Sequence, residues 1–394
     1  MPKGLLSVVT GNSPDVRGLV VDQLLRASPR AVVLAVSIQA RDKGYPVVQR
    51  FTAGADTELH GTLARGATGD PVVILRQDLL AIRRAMGAPH LILALPQELD
   101  VLPFLVELWQ PRIGVSAVSD HYDPAPVLVG VDPASFMADI GCVHRAVGLG
   151  DGTGDATPTT PAEVAARQVE AADVLIVPAP ADGGGRRVSG AAAALVGHLN
   201  AHALLLSVSD RAEAAPQLPP FLTRPAPAGA SDEWRTRLEP VNVPRSHSGS
   251  RHGVESVLWR ARRPLHPQRL ADALAAVMIG VARSRGHLWL AGRPDAVVAW
   301  RSAGAHLELR EADRWLEAGD PKAWEAASPQ RRTLASCFWH DYYGERRNEI
   351  VFTGIHLDER RVCSALDEAL LTDTELSLGR DAWAAMPDPL LGAP

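Results

Sequence analysis

The stretch Leu5-Leu6-Ser7-Val8-Val9-Thr10-Gly11-Asn12-Ser13-Pro14-Asp15-Val16-Arg17-Gly18, continued by a helix-forming run to Leu25, reads as a strand, a tight turn and a helix. Its opening run is nearly all apolar, as in a strand covered on both faces. The same unit recurs downstream: residues 32–37, 91–95, 127–131, 174–177 and 204–208 read as further strands, and Leu75, Leu79, Ile82 and Met86 share one helix face. This alternation predicts an α/β domain built on a doubly wound parallel sheet. Between about 210 and 253 the periodicity fails in favour of Pro, Gly, Ser and Arg, which reads as a partly flexible linker. Beyond it, Leu270, Leu274, Val277, Met278 and Val281 form one helix face. Residues 288–290, 297–300, 307–309 and 350–355 read as strands, and Val362, Leu366 and Leu370 line another helix. An antiparallel sheet with helices on one face is the simplest closure. The expected domains are therefore 1–210 and 254–390, joined by 211–253.

Composition narrows the class. The 394 residues carry 45 acidic and 40 basic side chains, a formal charge of −5, so no global positive field draws the chain to DNA. Only Lys3, Lys43 and Lys322 are lysines, an arginine bias that suggests a GC-rich genome. Eight of the nine Trp follow residue 230, which supports two differently built halves. The cysteines are Cys142, Cys337 and Cys363, too few and too odd for a disulfide scaffold, and they point to a reducing cytosol. No apolar run reaches the ~20 residues of a membrane span, and Met1-Pro2-Lys3-Gly4 leads straight into a strand rather than a signal peptide. A cytoplasmic protein without membrane or DNA partners is expected.

Gly11 to Gly18 occupies the interval of a GxxxxGK[ST] phosphate loop, in which the second Gly admits phosphate, the Lys reaches its outer oxygens and the hydroxyl holds Mg²⁺. Here those three positions are Val16, Arg17 and Gly18, so the motif alone reads as an ordinary strand–helix turn. The C-terminal half is more specific. It carries, in order, Arg262-Arg263-Pro264-Leu265-His266-Pro267-Gln268-Arg269-Leu270, then Arg285-Gly286-His287-Leu288-Trp289-Leu290-Ala291. Gly344-Glu345-Arg346-Arg347-Asn348-Glu349-Ile350-Val351-Phe352-Thr353-Gly354 and Leu370-Leu371-Thr372-Asp373-Thr374-Glu375 follow. These four blocks resemble the C-terminal domain of the CobW family of GTPases, whose members handle metals, often zinc. The resemblance implies a P-loop-NTPase-like doubly wound parallel sheet followed by a smaller α+β CobW C-terminal domain.

It also makes the departures informative. Residues 69–79 resemble the family segment in which Cys-x-Cys-Cys precedes Arg-x-Asp-Leu. Arg76, Asp78 and Leu79 are kept, but Asp70, Val72 and Val73 stand at the thiolate positions. One carboxylate and two aliphatic side chains do not make a soft-metal site. Residues 166–177 match the helix and strand leading to the guanine-reading Asn-Lys-x-Asp, where this chain has Pro178-Ala179-Pro180-Ala181, with Asp182 one residue on. The Glu-Thr-Ser-Gly-like segment has become Ala94-Leu95-Pro96-Gln97. The reading is a pseudo-GTPase. GTP and zinc remain the two candidate ligands, with Gly11, Arg17 and Gly18 as the degenerate phosphate loop and no residue assigned to catalysis or metal.

Other residues carry alternatives. Cys142 and His144 supply two ligands, too few to close a tetrahedral site. His247 and His252 lie in the linker where relatives carry a His-rich stretch. His340 and Asp341 could be ligands from one turn, beside Cys337-Phe338-Trp339, which reads as core. Arg346, Arg347 and Glu349 resemble the family's Gly-Asp-Arg-Arg-x-Glu and read as an ion-pair cluster or as an interaction surface, together with Arg262, Arg263 and His266. The arginines from Arg260 to Arg285, with Trp259 and Trp289, suit phosphate or rRNA contact as well as a plain solvated surface. Within the family, Arg262–Leu270 and residues 288–295 resemble an actinobacterial group associated with ribosome hibernation under zinc limitation. That resemblance implies a non-catalytic adaptor whose partners are the ribosome and a hibernation factor. The competing class is a GTP-dependent zinc metallochaperone.

Overall fold

In the computed structural model the described residues are 2–41, 43–54, 66–87, 89–111, 116–144, 159–179, 185–208, 218–317 and 319–392, without the side chains of 185–187. The chain divides into two compact units, Met1–Trp234 and Arg235–Pro394. The first holds β1 (Gly4–Gly11), β2 (Val32–Gln39), β3 (Val47–Ala53), β4 (Ala67–Thr68), β5 (His90–Ala94), β6 (Tyr122–Pro124), β7 (Leu128–Gly130), β8 (Val174–Pro178) and β9 (Leu204–Val208). Their order is β4-β3-β2-β5-β1-β7-β8-β9, with β6 also against β1. From β2 to β9 every pair on this path is parallel, while β3 and β4 add an antiparallel edge. The expected parallel sheet is therefore present, extended by a hairpin-like edge that sequence periodicity misses.

The helices are punctuated by side chains suited to their ends. Helix α1 (Pro14–Ala27) begins with Ser13 as cap and Pro14 at its first position, and α2 (Pro71–Met86) begins with Asp70 and Pro71 in the same roles. Then follow α3 (Val101–Trp109), α4 (Pro133–Ile140), α5 (Pro161–Ala171) and α6 (Gly185–Leu199). Val20 and Leu24 of α1 pack on Val9, Val33, Ile92, Leu128 and Ile176 of the sheet. Strand β9 lies at the edge and leaves Leu204 42% exposed, so it is not covered on both faces as its apolar run predicts.

The segment read as a linker is largely placed. Leu218 and Leu222 join the core of the first unit, the Ala226 amide donates to the Pro124 carbonyl at 2.7 Å, and Trp234 meets Trp109 edge-on at 5.2 Å. Val241 is buried in the second unit. Residues 209–217 lie outside the described residues.

The second unit contains α7 (Ala230–Leu238) in part, β10 (Val254–Ala261), α8 (Pro267–Val277), β11 (Val281–Leu288), β12 (Ala296–Ala303), β13 (His306–Arg314), α9 (Pro329–Cys337), β14 (Asn348–Ile355), α10 (Glu359–Glu368) and α11 (Asp373–Ser377). Its sheet is antiparallel in the order β10-β14-β11-β12-β13. Leu270 and Val277 of α8 and Val362 and Leu366 of α10 cover one face, against Trp259, Trp300, Ile350 and Phe352. Val281 belongs to β11 rather than to the helix face expected for it, because Gly280, at φ +77°, turns the chain. Gly286 allows β11 to approach β14: a Cβ there would lie 2.0 Å from the Glu349 carbonyl oxygen. Among the described residues no helix is long and apolar enough to cross a membrane.

Candidate functional site

In parallel α/β sheets ligands bind beyond the carboxyl ends of the central strands, and here those ends are tied together. Helix α1 starts at Pro14, so only Asn12 and Ser13 separate it from β1. Pro14 has no amide hydrogen to offer. The Val16 amide donates to Ser13 Oγ at 3.3 Å, the Arg17 amide to the Ser13 carbonyl at 3.1 Å and the Asn12 amide to the Gly130 carbonyl at 3.4 Å. Asn12 bridges to the cap of α4: its Oδ1 accepts from the Asp132 amide at 2.7 Å and its Nδ2 donates to the Asp132 carbonyl at 3.1 Å. Val16 is buried, with Cγ1 3.1 Å from where a Cβ on Gly11 would sit and Cγ2 3.0 Å from one on Gly130. The two glycines thus make room for a valine. Arg17 donates from Nη1 to the Leu95 carbonyl at 3.2 Å, and burial lowers its pKa. Gly18 faces outward on α1 with nothing within 4 Å of its would-be Cβ. Gln168 closes the remaining side, donating to the Gln97 carbonyl at 2.7 Å. These residues do not fit nucleotide phosphates: the loop is wound into helix, three amides are engaged, and Asp15 adds an acidic group to the first turn.

The second unit gathers a different set. Arg262, Arg347 and Glu349 line a pocket of about 320 Å³ together with Arg260, Ala261, Phe338 and Asn348. Arg262 Nη2 donates to the Phe338 carbonyl at 2.8 Å, and its Nη1 lies 3.4 Å from the carbonyls of Gly344 and Arg346. Buried Arg347 donates from Nε to Glu349 Oε2 at 3.0 Å and lies 4.0 Å over the Phe338 ring, while Arg260 Nε donates to Glu349 Oε1 at 2.7 Å. Burial lowers the pKa of both Arg262 and Arg347. The other residues of the expected surface point elsewhere. Arg263 pairs with Asp373 at 2.6 Å, His266 caps α8, and Arg346 pairs with Glu317. Next to Arg347, whose Nη1 donates to the Glu345 carbonyl at 3.2 Å, Arg331 and Glu345 form a buried pair that sequence reading did not single out, and Arg331 also pairs with Asp313 at 2.7 Å. Fully buried His287 lies beside Arg331 and Arg347 with no hydrogen-bond partner on either ring nitrogen among the described residues, and burial holds it far below its ordinary pKa.

Residues 254–370 match the cobalamin synthesis protein cobW C-terminal domain. This stretch is a CobW C-terminal domain, as the four sequence blocks imply. Zinc chaperone Rv0106 of Mycobacterium tuberculosis is 29% identical over 372 residues, which cover 90% of this chain and 86% of that protein. Zinc-regulated GTPase metalloprotein activator 1 of Dictyostelium discoideum is 32% identical over 161 residues, 40% of this chain and 33% of that one. The solved Zn(II)-bound YjiA GTPase from E. coli aligns over 94% of this chain and 100% of its own, with 13% identity and a TM-score of 0.32.

At the position of the CobW thiolates, Asp70 is a helix cap whose Oδ1 accepts from the Val72 amide at 2.8 Å, and Val72 is buried. This donor set does not fit zinc. Downstream, Arg76 donates to the carbonyls of Glu107 and Leu108 at 2.6 and 3.1 Å, fastening α2 to the end of α3, and Asp78 pairs with Arg50 at 3.4 Å. At the guanine-reading position the Ala179 amide donates to the Val208 carbonyl at 2.7 Å, while Pro180, Ala181 and Asp182 lie outside the described residues. Cys142 Sγ and His144 Nδ1 are 3.6 Å apart. His340 Nδ1 accepts from the amides of Tyr342 and Tyr343, and its backbone pairs with Gly344, so it closes a tight loop. Cys337 and Trp339, expected in the core, are exposed, because α9 ends at Cys337 and this loop turns outward. Among the described residues no three His, Cys, Asp or Glu side chains come together as a metal site.

Proposed function

We propose that this CobW-domain protein serves zinc homeostasis as a cytoplasmic, non-catalytic adaptor that places a hibernation factor on the ribosome when zinc is scarce. The observation that carries the non-catalytic part is the closed strand–helix junction. Val16 fills the space between Gly11 and Gly130, and Ser13 engages the amides that a phosphate loop would present. The zinc setting is supported by the relative named a zinc chaperone. The ribosomal role rests on the sequence resemblance of residues 262–270 and 288–295. Sedimentation of extracts from cells grown with and without a zinc chelator tests it. The tagged full chain is expected to travel with ribosomes after chelation, and a chain that stays at the top of the gradient in both conditions removes the adaptor reading. The second reading, a GTP-dependent zinc chaperone, is favoured by the length of the alignment to that same relative. It requires Mg²⁺-dependent GTP binding by the full chain.

A further inference from the structure

The pocket at the start of β14 has an unbalanced charge. Three guanidinium groups, Arg260, Arg262 and Arg347, line it against one carboxylate, Glu349. That carboxylate is shared: Oε2 accepts from Arg347 and Oε1 from Arg260. Arg262 is held by backbone carbonyls alone, which orient a cation without neutralising it. Burial of Arg262 and Arg347 disfavours their charged forms, and Glu349 is the one lining carboxylate that acts on both, so the lining holds two more cations than anions. The frame is fixed in advance: Asn348 Nδ2 donates to the Arg263 carbonyl at 2.7 Å, its Oδ1 accepts from the Trp289 amide at 2.8 Å, and Phe338 backs Arg347. Both Nη atoms of Arg347 donate to backbone carbonyls, of Glu345 and Val241, which leaves Arg260 and Arg262 as the planar guanidinium groups to meet the oxygens of a phosphoryl group.

We propose that this pocket binds a phosphate dianion, free or as the monoester of a small molecule, with Arg262 and Arg260 as its principal contacts. Charge selects the class. A dianion neutralises the excess of two, whereas a phosphodiester or a carboxylate leaves one cation unmatched. The volume of about 320 Å³ leaves room for a substituent on the phosphate.

Calorimetric titration of the full chain at about pH 8, where a phosphate monoester is fully dianionic, tests this with inorganic phosphate, phenyl phosphate, dimethyl phosphate and acetate. Saturable binding of the first two is expected, with dimethyl phosphate and acetate at least about tenfold weaker. A preference for inorganic phosphate identifies a free-phosphate site; a preference for phenyl phosphate identifies an organic monoester. Arg262→Gln is expected to weaken binding about tenfold. Arg260→Gln, at a side chain that hydrogen-bonds Glu349 and is 58% exposed, is expected to weaken it without affecting the fold. Arg310→Gln, on exposed β13 beside Glu308, is expected to leave it unchanged. No saturable phosphate binding, equal binding of dimethyl phosphate, or equal loss in the Arg310 variant overturns the proposal.

Discussion

Asp78 shows how a residue kept from a family motif can carry a structural load in place of a chemical one. It sits on α2 with its carboxylate 3.4 Å from the Arg50 guanidinium, and both side chains are about nine-tenths buried. Burial pushes its pKa up from 3.8 to about 6, while Arg50 pulls it back. A raised folded-state pKa means that the protonated form is favoured by folding. The associated stability is complete below about pH 4 and is lost as pH rises through about 6. Once screening by solvent is allowed for, the swing is roughly 2 kcal/mol. Asp78→Asn, neutral throughout, is expected to gain about that much on the parent chain between about pH 4 and pH 8. Urea midpoints of both proteins at the two pH values measure it. A difference between them that does not change with pH would show that Asp78 titrates normally.

At the scale of elements, strands of nearly continuous apolar residues were legible, and two strands with buried charged side chains were not. Residues 91–95 and 174–177 read correctly because β5 and β8 bury one aliphatic after another. Strand β3 escaped because its inward positions include Arg50, the partner of Asp78. Strand β11 was read only at its end, because Arg283, Ser284 and His287 are buried where a pattern search asks for aliphatics. The junction between β1 and α1 was legible as a failed motif. That Pro14 starts the helix early and Val16 plugs the gap needed three-dimensional placement. This gives a test of whether side chains or backbone disable the loop. Val16→Gly, Arg17→Lys and Gly18→Ser together restore the written motif. The variant is expected to lose roughly 3 kcal/mol, from the emptied Val16 site and from Gly within a helix, and still to bind no GTP by calorimetry, since Pro14 and the Asn12–Asp132 bridge remain. Micromolar GTP binding by this variant would place the fault in the side chains alone.

The whole molecule combines a first unit whose β1–α1 junction is closed by its own hydrogen bonds with a second that carries a pocket lined by three arginines and one glutamate. The candidate site was legible in part: Arg262, Arg347 and Glu349 came from the resemblance and Arg260 from the arginine run suited to phosphate contact, whereas the place of Arg260 beside Glu349 and of Asn348 beside Ala261 needed β10 and β14 to be paired in register. The sealed unit has a thermodynamic consequence that separates an adaptor from a GTP-dependent chaperone. A ligand that binds only the folded state adds stability as RT ln(1 + [L]/Kd), about 4 kcal/mol at a thousandfold excess over Kd. For a unit of this size that corresponds to a rise of the order of 10 °C in melting temperature. With Ser13 engaging the amides and Val16 in the gap, millimolar GTP with Mg²⁺ is expected to shift the first unit's melting by less than about 1 °C. A rise of several degrees that vanishes on removal of Mg²⁺ would mean that the junction opens to admit nucleotide, and the chaperone reading would then replace the adaptor one.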